Sequence, residues 1–191
     1  MEVSQPVAIF WLMMHDLLQN NGQSNMKYIE LILVIVLLSI LQPVTNNYLP
    51  YYMSPDLLLI LTVYVACFYR YYTGLSAVLL IAYISHVLSA GDVWFYLFLY
   101  IVMFYVTYLI KHIFDIKRFI TIATLVLSIT VLKPFIVLVV TSLSGSAASI
   151  FYANVGIAVK QLIPNVVISY IIYKLLPYML KDFDFNAESF N

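Results

Sequence analysis

Charged side chains make up only 9% of the 191 residues, nine basic and nine acidic, so the formal net charge is zero. A soluble domain carries about a quarter charged residues, and so thin a supply cannot cover a water-facing surface of this size. A neutral chain also gives no footing to nucleic-acid binding driven by bulk basicity. Cys67 is the single cysteine, which excludes an internal disulfide framework or a cysteine-based metal site. Five glycines leave little material for a loop that cradles a nucleotide phosphate. There is no His-Glu-x-x-His helix, no Gly-x-Ser-x-Gly elbow and no pair of carboxylates within one apolar run. The expectation is a protein that is not an enzyme and uses no cofactor or metal. The apolar stretch from Val7 to Met14 is followed by His15 and Asp16 without a small-residue cleavage pattern, so a full-length chain without a cleaved signal is expected.

Hydrophobic residues are abundant, at 64%, and the mean hydropathy is +0.98. They fall into runs at Tyr28–Val44, Asp56–Tyr72, Thr73–Ala90, Val93–Phe114, Phe119–Leu143 and Gln161–Leu180. A helical span needs about 20 apolar residues, and only helices or closed barrels satisfy their backbone groups in hydrocarbon. These runs do not alternate as barrel strands do. The fold class predicted is therefore an all-α integral membrane protein of about six transmembrane helices in a compact bundle. Residues 1–27 are expected to form a cytoplasmic segment with an interfacial amphipathic helix at Pro6–Leu18. Residues 28–180 would form the membrane domain and 181–191 a cytoplasmic tail. Ala147–Val159 is too short to cross and reads as an outer-face or re-entrant segment leading into the last helix. A tight turn is expected at Tyr71–Gly74.

With six spans, Lys27, Arg70, Lys111, Lys117, Arg118, Lys174 and Lys181 share one side, seven of the nine basic residues. Cytoplasmic loops collect Lys and Arg, so both termini are expected inside. Tyrosines gather near run ends, where amphipathic rings suit the headgroup level.

Ionisable residues within spans are costly and mark candidate sites. Lys133, next to Pro134, reads either as an ion-pair or anion site in the outer half of the bundle or as a lysine that snorkels to the surface. His86 is either a titrating, partner-contacting residue or a neutral packing histidine on a small-residue face with Ala82, Ser89 and Ala90. Asp56 follows Pro55 and Asp92 follows Gly91, each placed to cap a helix N-terminus. Lys160 stands at a similar depth, and a polar patch shared by these groups is open on the sequence. Thr121, Thr124 and Ser128 form a stripe, and Pro164-Asn165 kinks and polarises the last span. Both read as interhelical glue.

From Pro55 to about Phe114 the chain resembles the bacterial rod-shape-determining membrane proteins, the MreD-like family. The resemblance is carried by Pro55-Asp56-Leu57-Leu58 opening a helix, by Arg70 and Gly74 at the following turn, and by His86-Val87-Leu88-Ser89-Ala90-Gly91 at the next helix end. His86 stands where that family has an acidic residue. The resemblance implies a non-catalytic inner-membrane scaffold of the cell-elongation machinery, in contact with membrane lipid. Its implied partners are a periplasmic MreC-like protein and wall synthases, with homo-oligomerisation left open. The Phe/Tyr-rich fourth span (Phe95, Tyr96, Phe98, Tyr100, Phe104, Tyr105) is the expected docking helix. The family is similar in fold to the solute-binding subunits of energy-coupling-factor vitamin transporters, which supply the alternative. The first span, Leu31–Leu38, has none of the Ala-x-x-x-Ala docking pattern of those subunits.

Overall fold

The computed structural model describes residues 22–49, 54–89, 92–114, 118–142 and 147–179. The interfacial helix expected at Pro6–Leu18 and the tail at 181–191 lie outside these residues, as do Lys117 and Lys181. Every described element is helical: α1 (Gly22–Tyr48), α2 (Leu57–Phe68), α3 (Tyr71–Ser89), α4 (Val93–Lys111), α5 (Phe119–Ser142) and α6 (Ala147–Met179). Five of these six are long and apolar enough to cross a membrane; α2 is the exception. The chain is a multi-pass membrane protein.

Contacts at the helix ends set the direction of each helix. Tyr28 near the start of α1 lies 3.1 Å from Thr73 Oγ1 in the first turn of α3. Lys111 at the end of α4 reaches the carbonyl of Ala66 at the end of α2. Phe119 at the start of α5 packs its ring against Tyr170 and Tyr173 late in α6. These groups define a first end of the bundle. At the second end, Gln42 of α1 bonds the chain leading into α2. The six helices therefore run alternately between the two ends.

The sequence run Asp56–Tyr72 is not one long span. Its helix has 12 residues, about 18 Å at 1.5 Å per residue, against a hydrocarbon core of about 30 Å. Leu57 to Cys67 are all buried, and α2 touches each of the other five helices. An all-round apolar helix is a core helix, and α2 is the axis of the bundle. The break falls at Tyr69-Arg70 rather than Tyr71–Gly74. Tyr69 is extended, with φ −105° and ψ 158°, and its amide closes α2 by donating to the Val65 carbonyl. Gly74 lies inside α3, where a Cβ would meet Phe104 Cε2 at 2.8 Å. This glycine admits the Phe104 ring.

Two other expectations are corrected. Ala147–Val159 is not a re-entrant turn ahead of the last helix but its helical continuation, since α6 runs unbroken for 33 residues. α6 as a whole packs along α5. Similarly, α1 continues through Pro43 to Tyr48. Leaving the helix earlier would strand backbone groups in an apolar medium.

Candidate functional site

Residues 54–56, which lead into α2, have no regular secondary structure and are buried, with Ser54 and Asp56 nearly inaccessible. Unwound backbone at such a place must find partners for every N–H and C=O. Gln42 on α1 and Gln161 and Asn165 on α6 supply them, and Asn46 takes the Ser54 hydroxyl; each helix contributes a carboxamide pair spaced i, i+4, so that both side chains share a helix face. The Gln161 amide donates to the Ser54 carbonyl at 3.2 Å. The Gln42 amide donates to the Pro55 carbonyl at 3.0 Å, and its oxygen accepts from the Leu57 amide at 2.7 Å. The Asp56 amide donates to Asn165 Oδ1 at 2.8 Å. The Asp56 carbonyl accepts from Ile60 at 3.1 Å, as the first bond of the helix. Ser54 Oγ donates to Asn46 Oδ1. From the Ser54 carbonyl to the Leu57 amide every backbone polar group is matched, Pro55 having no N–H to match.

The Asp56 carboxylate does two things. Oδ1 caps α2 by accepting from the Leu59 amide at 3.0 Å, and Oδ2 pairs with Lys133 Nζ at 2.5 Å. The second half of the site comes from α5 and α6. Asn165 is fully buried and spends its amide on Thr130 Oγ1 at 3.0 Å, while Thr130 donates to the Val126 carbonyl at 2.7 Å. Lys133 lies nine residues before Ser142, the last residue of α5, or about 14 Å of helix. The pair is set well inside the bundle from its second end. Its low-dielectric surroundings strengthen a matched charge pair and penalise an unmatched one.

The far end of α2 has its own charged group. Lys111 is buried, and its Nζ donates to the Ala66 carbonyl at 2.9 Å and to the Tyr69 carbonyl at 3.4 Å. It also lies 4.0 Å from the centre of the Tyr108 ring, a cation–π distance. A carboxylate thus sits at the N-terminus of α2 and an ammonium at its C-terminus, the arrangement that the helix macrodipole favours. Lys111 was counted as a loop charge on sequence grounds; in the fold it closes the central helix.

Of the six candidates from the sequence, the described contacts join Asp56, Lys133 and Asn165. Asp92 is exposed and caps α4, accepting from the Trp94 amide at 3.0 Å. His86 is half-buried on α3, with its ring 6.3 Å from that of Tyr83. Lys160 is exposed on α6. Thr124 is exposed and bonds the carbonyl of Ile120 on its own helix, and Ser128 is exposed. The interhelical hydroxyl of α5 is Thr130 instead. Sequence reasoning missed Gln42, Gln161, Thr130 and Lys111. The signal available was the repeated i, i+4 carboxamide spacing in two otherwise apolar helices. Among the described residues no group of three or more His, Cys, Asp or Glu could hold a metal ion.

Chemically, the cluster is an internal peptide-binding site. Amide side chains of α1 and α6 hold the backbone of residues 54–57, and one ion pair neutralises the carboxylate. No protein-family model, no curated protein and no solved structure matches this chain.

Proposed function

We propose that the chain is a non-catalytic scaffold of the bacterial cytoplasmic membrane, with a role like that of the MreD-like proteins it resembles. In this reading it crosses the membrane six times with both termini in the cytoplasm, α2 making the second crossing together with the chain on either side of it. It joins membrane partners of the peptidoglycan-elongation machinery, an MreC-like periplasmic protein and wall synthases among them. The observation that carries the reading is the closed character of the polar cluster. The bonds of Asp56, Asn165, Gln42 and Thr130 all run to other groups of this chain, as suits a group that holds a fold rather than a substrate. The first end carries Arg70, Lys111, Arg118 and Lys174, which supports a cytoplasmic placement.

The docking helix of this scaffold is α4. Tyr100 and Phe104 belong to the core, so the aromatic helix does not turn its whole surface outward. What it does present is Trp94, Phe98, Ile101, Tyr105 and Leu109, all exposed, at the i, i+4, i+7, i+11, i+15 spacing of a helix-packing seam. Purification from mild detergent, followed by identification of co-purifying membrane proteins, tests the proposal. A partner retained by the parent chain and lost on Phe98→Ala with Tyr105→Ala is the expected result. A chain that always emerges alone, and whose deletion leaves cell shape intact, ends the reading.

One observation favours the alternative, a solute-binding subunit of a vitamin transporter: the Lys133 side chain is 27% exposed beside its partner and has N–H groups to spare. A solute at 100 times its dissociation constant adds about 2.7 kcal/mol of stability. Thermal-shift screening against vitamins therefore separates the two readings, with no shift for any solute expected of the scaffold.

A further inference from the structure

The partners that make α2 tolerable to the membrane come from far along the chain. Asp56 is paired with a lysine 77 positions later. Its amide bonds an asparagine 109 positions later, and the Ser54 carbonyl bonds a glutamine 107 positions after it. The preceding helix supplies the two backbone bonds of Gln42 and the Asn46 acceptor for the Ser54 hydroxyl. When α2 leaves the ribosome it is therefore a 12-residue helix preceded by unwound backbone and by a carboxylate that has its capping bond from Leu59 but no counter-charge. In hydrocarbon each orphaned backbone group and the bare charge are strongly disfavoured. The side chains of Leu57 to Cys67 are themselves largely apolar and end covered by other helices, so the polar groups that want partners are those of the chain just ahead of α2.

We propose that α2 is threaded across the membrane but not sealed from water until the α5–α6 hairpin closes on it. The carboxamides of Gln161 and Asn165 and the ammonium of Lys133 are the closing groups. Before they arrive, water supplies the missing partners of Asp56 and the Ser54 carbonyl. At a synthesis rate of about 5–20 residues per second, the interval between α2 and Asn165 is about 5–20 s. The inference concerns assembly of the chain itself and holds for the scaffold and the transporter readings alike.

The protein carries its own probe. Cys67 is its single cysteine and is buried in α2. The full-length chain is synthesised in the presence of membranes, with a membrane-impermeant maleimide pulsed either during synthesis or after it. The expected result is labelling of the full-length product at least tenfold greater when the pulse falls during synthesis. Gln161→Leu with Asn165→Leu is expected to leave Cys67 reactive after synthesis as well. To separate pairing from general misfolding, Lys133→Asp alone is compared with the exchange Asp56→Lys with Lys133→Asp. The single change should keep Cys67 reactive and the exchange should restore protection at least severalfold. Equal, low labelling in both pulses would overturn the proposal. So would protection of Cys67 in the Gln161/Asn165 variant equal to that of the parent, or an exchange no better protected than the single change.

Discussion

Removing Lys133 should harm the protein more than neutralising Asp56, although both changes break the same pair. Lys133→Met leaves the Asp56 carboxylate buried, with 9% of its side chain exposed and only the Leu59 amide as a remaining donor. An uncompensated buried charge costs about 3 kcal/mol at the lower end of the measured range. Asp56→Asn keeps an oxygen to cap α2 and leaves the ammonium behind. The Lys133 side chain is 27% exposed and its four-carbon stem lets it turn toward the surface. The loss is then about 1.5–2 kcal/mol, the low end for a charged hydrogen bond. In the double variant neither charge remains. The total should be about 2 kcal/mol less than the sum of the single losses, a coupling that only groups in contact show. Reversible unfolding in mixed micelles, run as a double-mutant cycle, measures all three. Additive losses, or Asp56→Asn worse than Lys133→Met, would refute a buried pair whose ammonium has the easier way out.

Three further outcomes follow from the packing. Asn165→Leu should cost about 1–3 kcal/mol because it orphans the Asp56 amide. Thr130→Val, which removes only the far partner of Asn165, should cost about 0.6 kcal/mol, a usual value inside membranes; the same unfolding assay ranks them. Gly74→Ala and Gly156→Ala should differ in sign. The first puts a Cβ 2.8 Å from Phe104 Cε2 and overpacks a buried ring by about 1–3 kcal/mol, against a propensity gain of about 1 kcal/mol. The second meets nothing within 4 Å and keeps the gain, so melting temperatures should fall for Gly74→Ala and rise for Gly156→Ala. Lys111→Met removes the donor to the Ala66 and Tyr69 carbonyls and should destabilise by about 1–3 kcal/mol, readable as faster hydrogen exchange at the C-terminal turn of α2.

The class of the protein was legible without coordinates. Long apolar runs and 9% charge leave helices in a membrane as the economical solution, because peptide groups there must bond within their own segment. Capping by Asp56 and Asp92 was legible for the same local reason: a carboxylate just ahead of an apolar run meets free amides. The starts of Val93–Lys111 and Phe119–Ser142 also follow from the breaks before them, while the first of these helices ends three residues short of the apolar run to Phe114.

What only the tertiary structure decided is which polar groups meet. On the sequence Lys133 reads more readily as a snorkelling residue; its pairing with Asp56 depends on α5 lying beside the start of α2. Likewise, hydropathy cannot distinguish a helix that faces lipid from one wrapped by five neighbours, since both are apolar all round. So α2 read as an ordinary span although its 12 residues form the core. Gln42, Gln161 and Asn165 are polar residues in apolar helices until the fold sets them around the three unwound residues 54–56 and the first amide of α2. Local composition sets where a chain coils, but a backbone left uncoiled in the interior must be matched by groups distant in sequence, and their positions are a property of the assembled bundle.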